Sequence, residues 1–130
     1  MKNVSRFVGF AVIALVAAAV CQSLGRAADG DEKKPKHSTK QVMTIAHKDG
    51  LLKKVLAGDA SHEEQHKLLD LYIDMLENKP PRGELASWHE LAGKAVLASA
   101  KVVVEREGAL DELKAAVNCK ACHDAHKPKE

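Results

Sequence analysis

Cys119-Lys120-Ala121-Cys122-His123 is the segment of this chain best equipped for chemistry. Two thiols three residues apart, followed at once by an imidazole, make the C-x-x-C-H pattern of covalent haem attachment. The chemistry accounts for the spacing. Each thiol adds across one of two vinyl groups on neighbouring sides of a porphyrin, and the next residue offers an imidazole to the iron. On a helix turning about 100° per residue, Cys119, Cys122 and His123 fall within an arc of roughly 100°. The pattern therefore predicts one covalently bound haem c, with Cys119 and Cys122 as the thioether positions and His123 as the proximal iron ligand.

Two other chemistries use the same residue types. A zinc ion could draw on Cys119, Cys122, His123 and His126, but four ligands within eight residues of one helix do not readily surround a tetrahedral ion. A thioredoxin-type redox pair wants its C-x-x-C at a helix N-terminus behind a strand, where the helix dipole lowers a thiol pKa. Here the pair is expected near the C-terminal end of an all-helical pattern, which argues against that use.

The apolar spacing predicts the elements that must hold the motif. Val42, Ile45, Leu52, Val55 and Leu56 recur at helical intervals from about Ser38, with Gly58 as a stop. Ser61-His62-Glu63-Glu64 has the form of a capping box and opens a second helix carrying Leu68, Leu69, Tyr72, Ile73 and Leu76. Pro80-Pro81 ends it. A third helix is expected over 84–106, with Leu85, Trp88, Ala92, Val96, Ser99 and Val103 inward and Gly108 beyond its end. A fourth, from about Ala109, carries Leu110, Leu113, Val117 and Ala121 and places the motif beside that stripe, facing the core. No segment alternates with period two. The expected fold class is all-α, an antiparallel four-helix bundle with the attachment motif on the C-terminal helix.

Composition and targeting limit the setting. Lys2 and Arg6 precede an apolar run of 14 residues from Phe7 to Val20, a signal-peptide pattern too short for a span of about 20 residues. Cleavage after Ala27 is expected; a lipoprotein reading through Cys21 suffers from the β-branched Val20 before it. The domain expectation is thus a signal peptide at 1–27, a flexible charged leader at 28–37 and one folded domain at 38–130, exported or periplasmic, with no stable membrane span. Of the 20 Lys and Arg, 17 remain after cleavage against 18 Asp and Glu, and no basic–aromatic surface suggests nucleic acid. The predicted mature chain keeps Tyr72 and Trp88 as its only aromatic residues, and the third helix offers Ala92, Gly93, Val96 and Ala100. Interiors pack to a density of about 0.74, so the missing volume is filled either by a cofactor or by close-packed Ala-rich helices.

Four expected helices with Cys-Lys-Ala-Cys-His-Asp-Ala-His-Lys at the extreme C-terminus resemble the class II cytochromes c, the cytochrome c-prime group and its low-spin relatives. The architecture covers the whole predicted domain, while the sequence likeness lies in 119–127. Family members commonly carry an aromatic and then an arginine soon after the motif; this chain has His126 and Lys127, making Lys127 the candidate for a propionate contact. In the low-spin members a methionine near the start of the first helix is the distal ligand, and Met43 occupies a corresponding place. Ala46 and Gly50 lie within roughly 60° of Met43 on a regular helix, leaving that side shallow. A thioether ligand would raise the potential and suit a one-electron carrier. His47 is a second candidate, although Lys48 and Asp49 suggest a solvent-facing stretch. His37, His62, His66 and His89 read as surface residues, Met75 as core, and Tyr72 and Trp88 as packing residues that border the haem. The functional expectation is an electron-transfer protein without enzymatic activity, working with redox partner proteins and capable of forming a homodimer. The alternative is a five-coordinate protein binding nitric oxide or carbon monoxide; a peroxidase-like activity has only His47 as a distal residue.

Overall fold

The computed structural model describes residues 34–129, so the expected signal peptide and residues 28–33 of the leader lie outside the described residues. The described chain is all-helical, with no strand, and no described helix is long and apolar enough to cross a membrane.

The first element is not one helix. α1 (Thr39–Val42) starts at Ser38, whose hydroxyl accepts from the Gln41 N–H while Gln41 Oε1 accepts from the Ser38 N–H, and it passes into a π turn at Met43–Lys48. Gly50, at φ +88°, then breaks the path before α2 (Leu51–Leu56). α3 (His62–Glu77) opens on the expected capping box, with Ser61 Oγ accepting from the Glu64 N–H and Glu64 Oε2 from the Ser61 N–H. α4 (Leu85–Val103) stops short of the expected Arg106 because Glu105 takes a positive φ of 55°. α5 (Ala109–Ala116) and α6 (Cys119–His126) replace the single expected fourth helix. The interruption has a local cause: the Asn118 side chain accepts from the Ala121 N–H and caps a new helix.

α3 and α4 pack along one another, α5 lies against α4, and α1 and α2 lie against α3. Val42, Leu68, Leu71, Tyr72, Trp88, Ala92, Ala95 and Leu113 form the buried core. Leu85 and Leu110, expected inside, are 48 % and 39 % exposed. With α5 separate from α6, the stripe from Leu110 to Ala121 is not continuous, and Ala121 is exposed.

The leader's last residues are pinned rather than free. Asp74, 4 % exposed, accepts the Lys36 N–H at 2.9 Å and pairs with His37 Nδ1 at 2.7 Å, while Lys36 Nζ reaches Asp70. His37 is accordingly a half-buried partner of α3, not a surface residue.

Candidate functional site

α6 begins at Cys119, so the two thiols and His123 occupy its first turn and a half. Cys119 is exposed and Cys122 half-buried, and both are free thiols. They border a cavity of about 430 Å³ whose wall also includes His123, Met43, His47, Tyr72, Met75, Ala92 and Ala95. A second cavity, of about 370 Å³, is lined by Met43, Cys122 and His123 together with Trp88, Pro81, His126 and Lys127. Both volumes are within the range of small-molecule and cofactor sites, roughly 300–1,000 Å³.

Part of the larger cavity's wall is built by the π turn. In i→i+5 bonding, residues four to five apart come into register, and π turns are frequent at functional sites. Met43, His47 and Lys48 all line the larger cavity, while Ala46 is fully buried behind them. The regular-helix expectation that Ala46 and Gly50 share Met43's side does not hold in this geometry. Nor is His47 solvent-facing. It is half-buried and stands 5.9 Å from Tyr72, ring centroid to ring centroid, with the Tyr72 hydroxyl 3.5 Å from Nε2. Burial first, and then the charge at His123, hold the His47 pKa below its ordinary value and favour a neutral imidazole. Burial likewise pushes the Tyr72 phenol up, keeping it protonated as a donor.

The far end of α6 is clamped by the loop between α3 and α4. His126, weighed from the sequence as a zinc ligand and standing where the resembling family commonly carries an aromatic, is 2 % exposed. Its Nδ1–H donates to the Arg82 carbonyl at 2.8 Å, since a carbonyl can only accept, and Nε2 is hydrogen-bonded with the Ser87 hydroxyl, also at 2.8 Å. Trp88 meets the ring edge-on at 5.3 Å and donates its own Nε1–H to the Met75 carbonyl. The Arg82 guanidinium holds the carbonyls of Asp124 and Lys127 at 2.5 and 3.0 Å, occupying the free acceptors at a helix C-terminus. Both His126 nitrogens being engaged, the residue is a structural anchor and not a fourth zinc ligand.

Cys119 does lie at a helix N-terminus, contrary to the expectation used against a thiol redox pair. What opposes that use is the surroundings: burial and the neighbouring Cys119 raise the Cys122 pKa, and no strand precedes the helix among the described residues. A haem fits the donor set better. An apolar cavity is lined by both cysteines and His123, with two thioethers, Met43 and Met75, and a second imidazole, His47, also on its wall, and small side chains at Ala92, Ala95 and Ala116 leave the space. Comparison with protein-family models, curated proteins and solved structures yields no match for this chain.

Proposed function

We propose that the chain is an exported monohaem c-type cytochrome that carries single electrons. The observation behind this reading is the convergence of Cys119, Cys122, His123 and Met43 on one apolar cavity. A haem bound there supplies reversible ferrous–ferric chemistry at iron. The chain's own residues supply the rest. Cys119 and Cys122 would anchor the group by thioether bonds, and His123 and Met43 would ligate its iron. Apolar walls limit water, and the clamp at His126 fixes the helix that bears three of the four. Met43 is favoured over His47 because His47 Nε2 stands 3.5 Å from the Tyr72 hydroxyl, a contact that ligation through Nε2 would give up, whereas a thioether is only a weak acceptor and gives up no comparable bond. Lys127, on the wall of the smaller cavity, remains the candidate for a propionate.

The wider reading follows the same proposal. Residues 39–56, α3, α4 and α5–α6 would form the four legs of an antiparallel bundle of the class II cytochrome c type. The protein would act outside the cytoplasm, after removal of 1–27, with redox proteins as partners and no catalytic role. Neither a nucleic-acid partner nor a membrane anchor is part of the proposal.

A specific observation supports one competing ligand set, since His47 shares the cavity wall with Met43. The test is an absorption spectrum of protein produced with a haem-attachment system, then of Met43→Ala and His47→Ala. The proposal expects a low-spin ferric spectrum with a sulfur-to-iron charge-transfer band that disappears in Met43→Ala and persists in His47→Ala. The reverse pattern assigns bis-histidine ligation. A high-spin parent that takes up carbon monoxide rapidly would replace the carrier by a gas-binding protein, and failure to bind haem covalently would end the proposal.

A further inference from the structure

The first turn of α3 reads His62-Glu63-Glu64-Gln65-His66, an H-E-x-x-H sequence. On a helix this spacing sets two imidazoles one turn apart on one face, the arrangement by which zinc hydrolases hold their metal. The two rings here lie 4.6 Å apart, centroid to centroid, at 65°. With metal–nitrogen bonds of about 2.0–2.1 Å and a nitrogen–metal–nitrogen angle between square and tetrahedral, two imidazole centroids on one ion sit roughly 4.5–5.2 Å apart. The pair already stands at that span.

The tautomer suits a ligand as well. His62 Nε2 lies 3.2 Å from the Val103 carbonyl oxygen at the end of α4, so Nε2 carries the proton and Nδ1 keeps its lone pair. Metal-bound histidines are oriented in this way, by donating the second ring N–H to a carbonyl or carboxylate. Both histidines are exposed, and His66 borders a polar groove with Glu63 and Asp70.

We infer that His62 and His66 form a two-imidazole chelate for a divalent late transition-metal cation, Cu²⁺ ahead of Zn²⁺ in the ordinary order of affinities, with water completing the coordination. The site binds and does not hydrolyse. No third His, Cys, Asp or Glu groups with the pair among the described residues. Glu64 is already engaged by Lys54 and Ser61, and Asp70 by Lys36. The groove shares no lining residue with the Cys119–His123 cavity, so the inference is independent of the haem proposal.

The test is isothermal titration of the full untagged chain with Cu²⁺, and separately with Zn²⁺, in a weakly coordinating buffer. Parent, His62→Ala, His66→Ala and His89→Ala are compared, each checked for helix content by circular dichroism. One equivalent should bind the parent and His89→Ala alike, with affinity lowered more than ~10-fold in either pair variant, beyond the lower end of what outer-shell changes cost. His66→Ala keeps the Val103 contact and therefore separates lost ligation from lost packing. Copper electron paramagnetic resonance should show two coordinated nitrogens in the parent. Equal affinity in the parent, His62→Ala and His66→Ala, or a loss confined to His89→Ala, would overturn the inference.

Discussion

Replacing Gly83 by alanine tests whether the α3–α4 loop truly clamps the attachment helix. Gly83 has a φ of +82°, and an added Cβ would stand 2.7 Å from the Ala125 carbonyl oxygen and 2.9 Å from His126 Nδ1. Two costs combine. A left-handed backbone costs a non-glycine residue about 1–2 kcal/mol. Overpacking against a backbone carbonyl that has no rotamer to escape into adds about 1–3 kcal/mol, partly by lengthening the His126–Arg82 bond. Gly83→Ala should therefore destabilise the chain by about 2–5 kcal/mol. Gly108 provides the control, because its φ is +73° but nothing lies within 4 Å of an added Cβ. Gly108→Ala should cost only the backbone part, about 1–2 kcal/mol. Urea unfolding followed by far-ultraviolet circular dichroism measures both, with equal m values required for the comparison. At roughly 4–8 °C per kcal/mol for a domain of this size, the clamp's share should lower the melting temperature of Gly83→Ala at least ~4 °C below that of Gly108→Ala. Equal losses in the two variants would refute the clamp.

Asp74 is nearly buried and takes both a backbone N–H and an imidazole from residues 36 and 37, so Asp74→Ala should lower stability by about 2 kcal/mol or more. It should also speed tryptic cleavage after Lys36; unchanged cleavage would show that the segment is held by something else. His47 predicts a pH dependence. Its folded pKa lies below the ordinary value of 6.5, so the unfolded chain takes up the proton first. The contribution is complete above about pH 6.5 and declines on acidification below it. The melting temperature of the cofactor-free chain should fall between about pH 7 and pH 5, and His47→Gln should flatten that slope. Parallel slopes would remove His47 as the cause.

The features legible in the sequence were those with local causes. Ser61 and Glu64 satisfy each other's backbone donors three residues apart, and Pro80-Pro81 cannot continue a helix, so the limits of α3 followed directly. The break between α5 and α6 escapes periodicity, which counts apolar positions and does not register a polar cap. Leu113, Val117 and Ala121 keep helical spacing across a break that Asn118 creates with one hydrogen bond. His126 had no local signal at all, since its partners lie at Arg82, Ser87 and Trp88, 38 to 44 positions earlier. The π turn was invisible for a related reason. Met43 and Lys48, five positions apart, both line the cavity, a register that the wider helical turn supplies and that apolar spacing does not signal.

These irregularities explain why a cavity exists beside the motif. A regular first helix would set Met43 and Lys48 about 140° apart, drawing one of them away from the wall they share. A continuous fourth helix would be positioned by Leu113 and its neighbours, leaving the direction of His123 to the packing of α5. Instead α6 is an eight-residue helix, too short to be stable alone, and its order comes from its two ends. Asn118 caps the start, and Arg82 with His126 holds the finish. The residues that carry the proposed chemistry are thus set by groups outside the C-x-x-C-H pattern. Changes at Asn118 or Gly83 should disturb the orientation of His123 while leaving every atom of the motif in place.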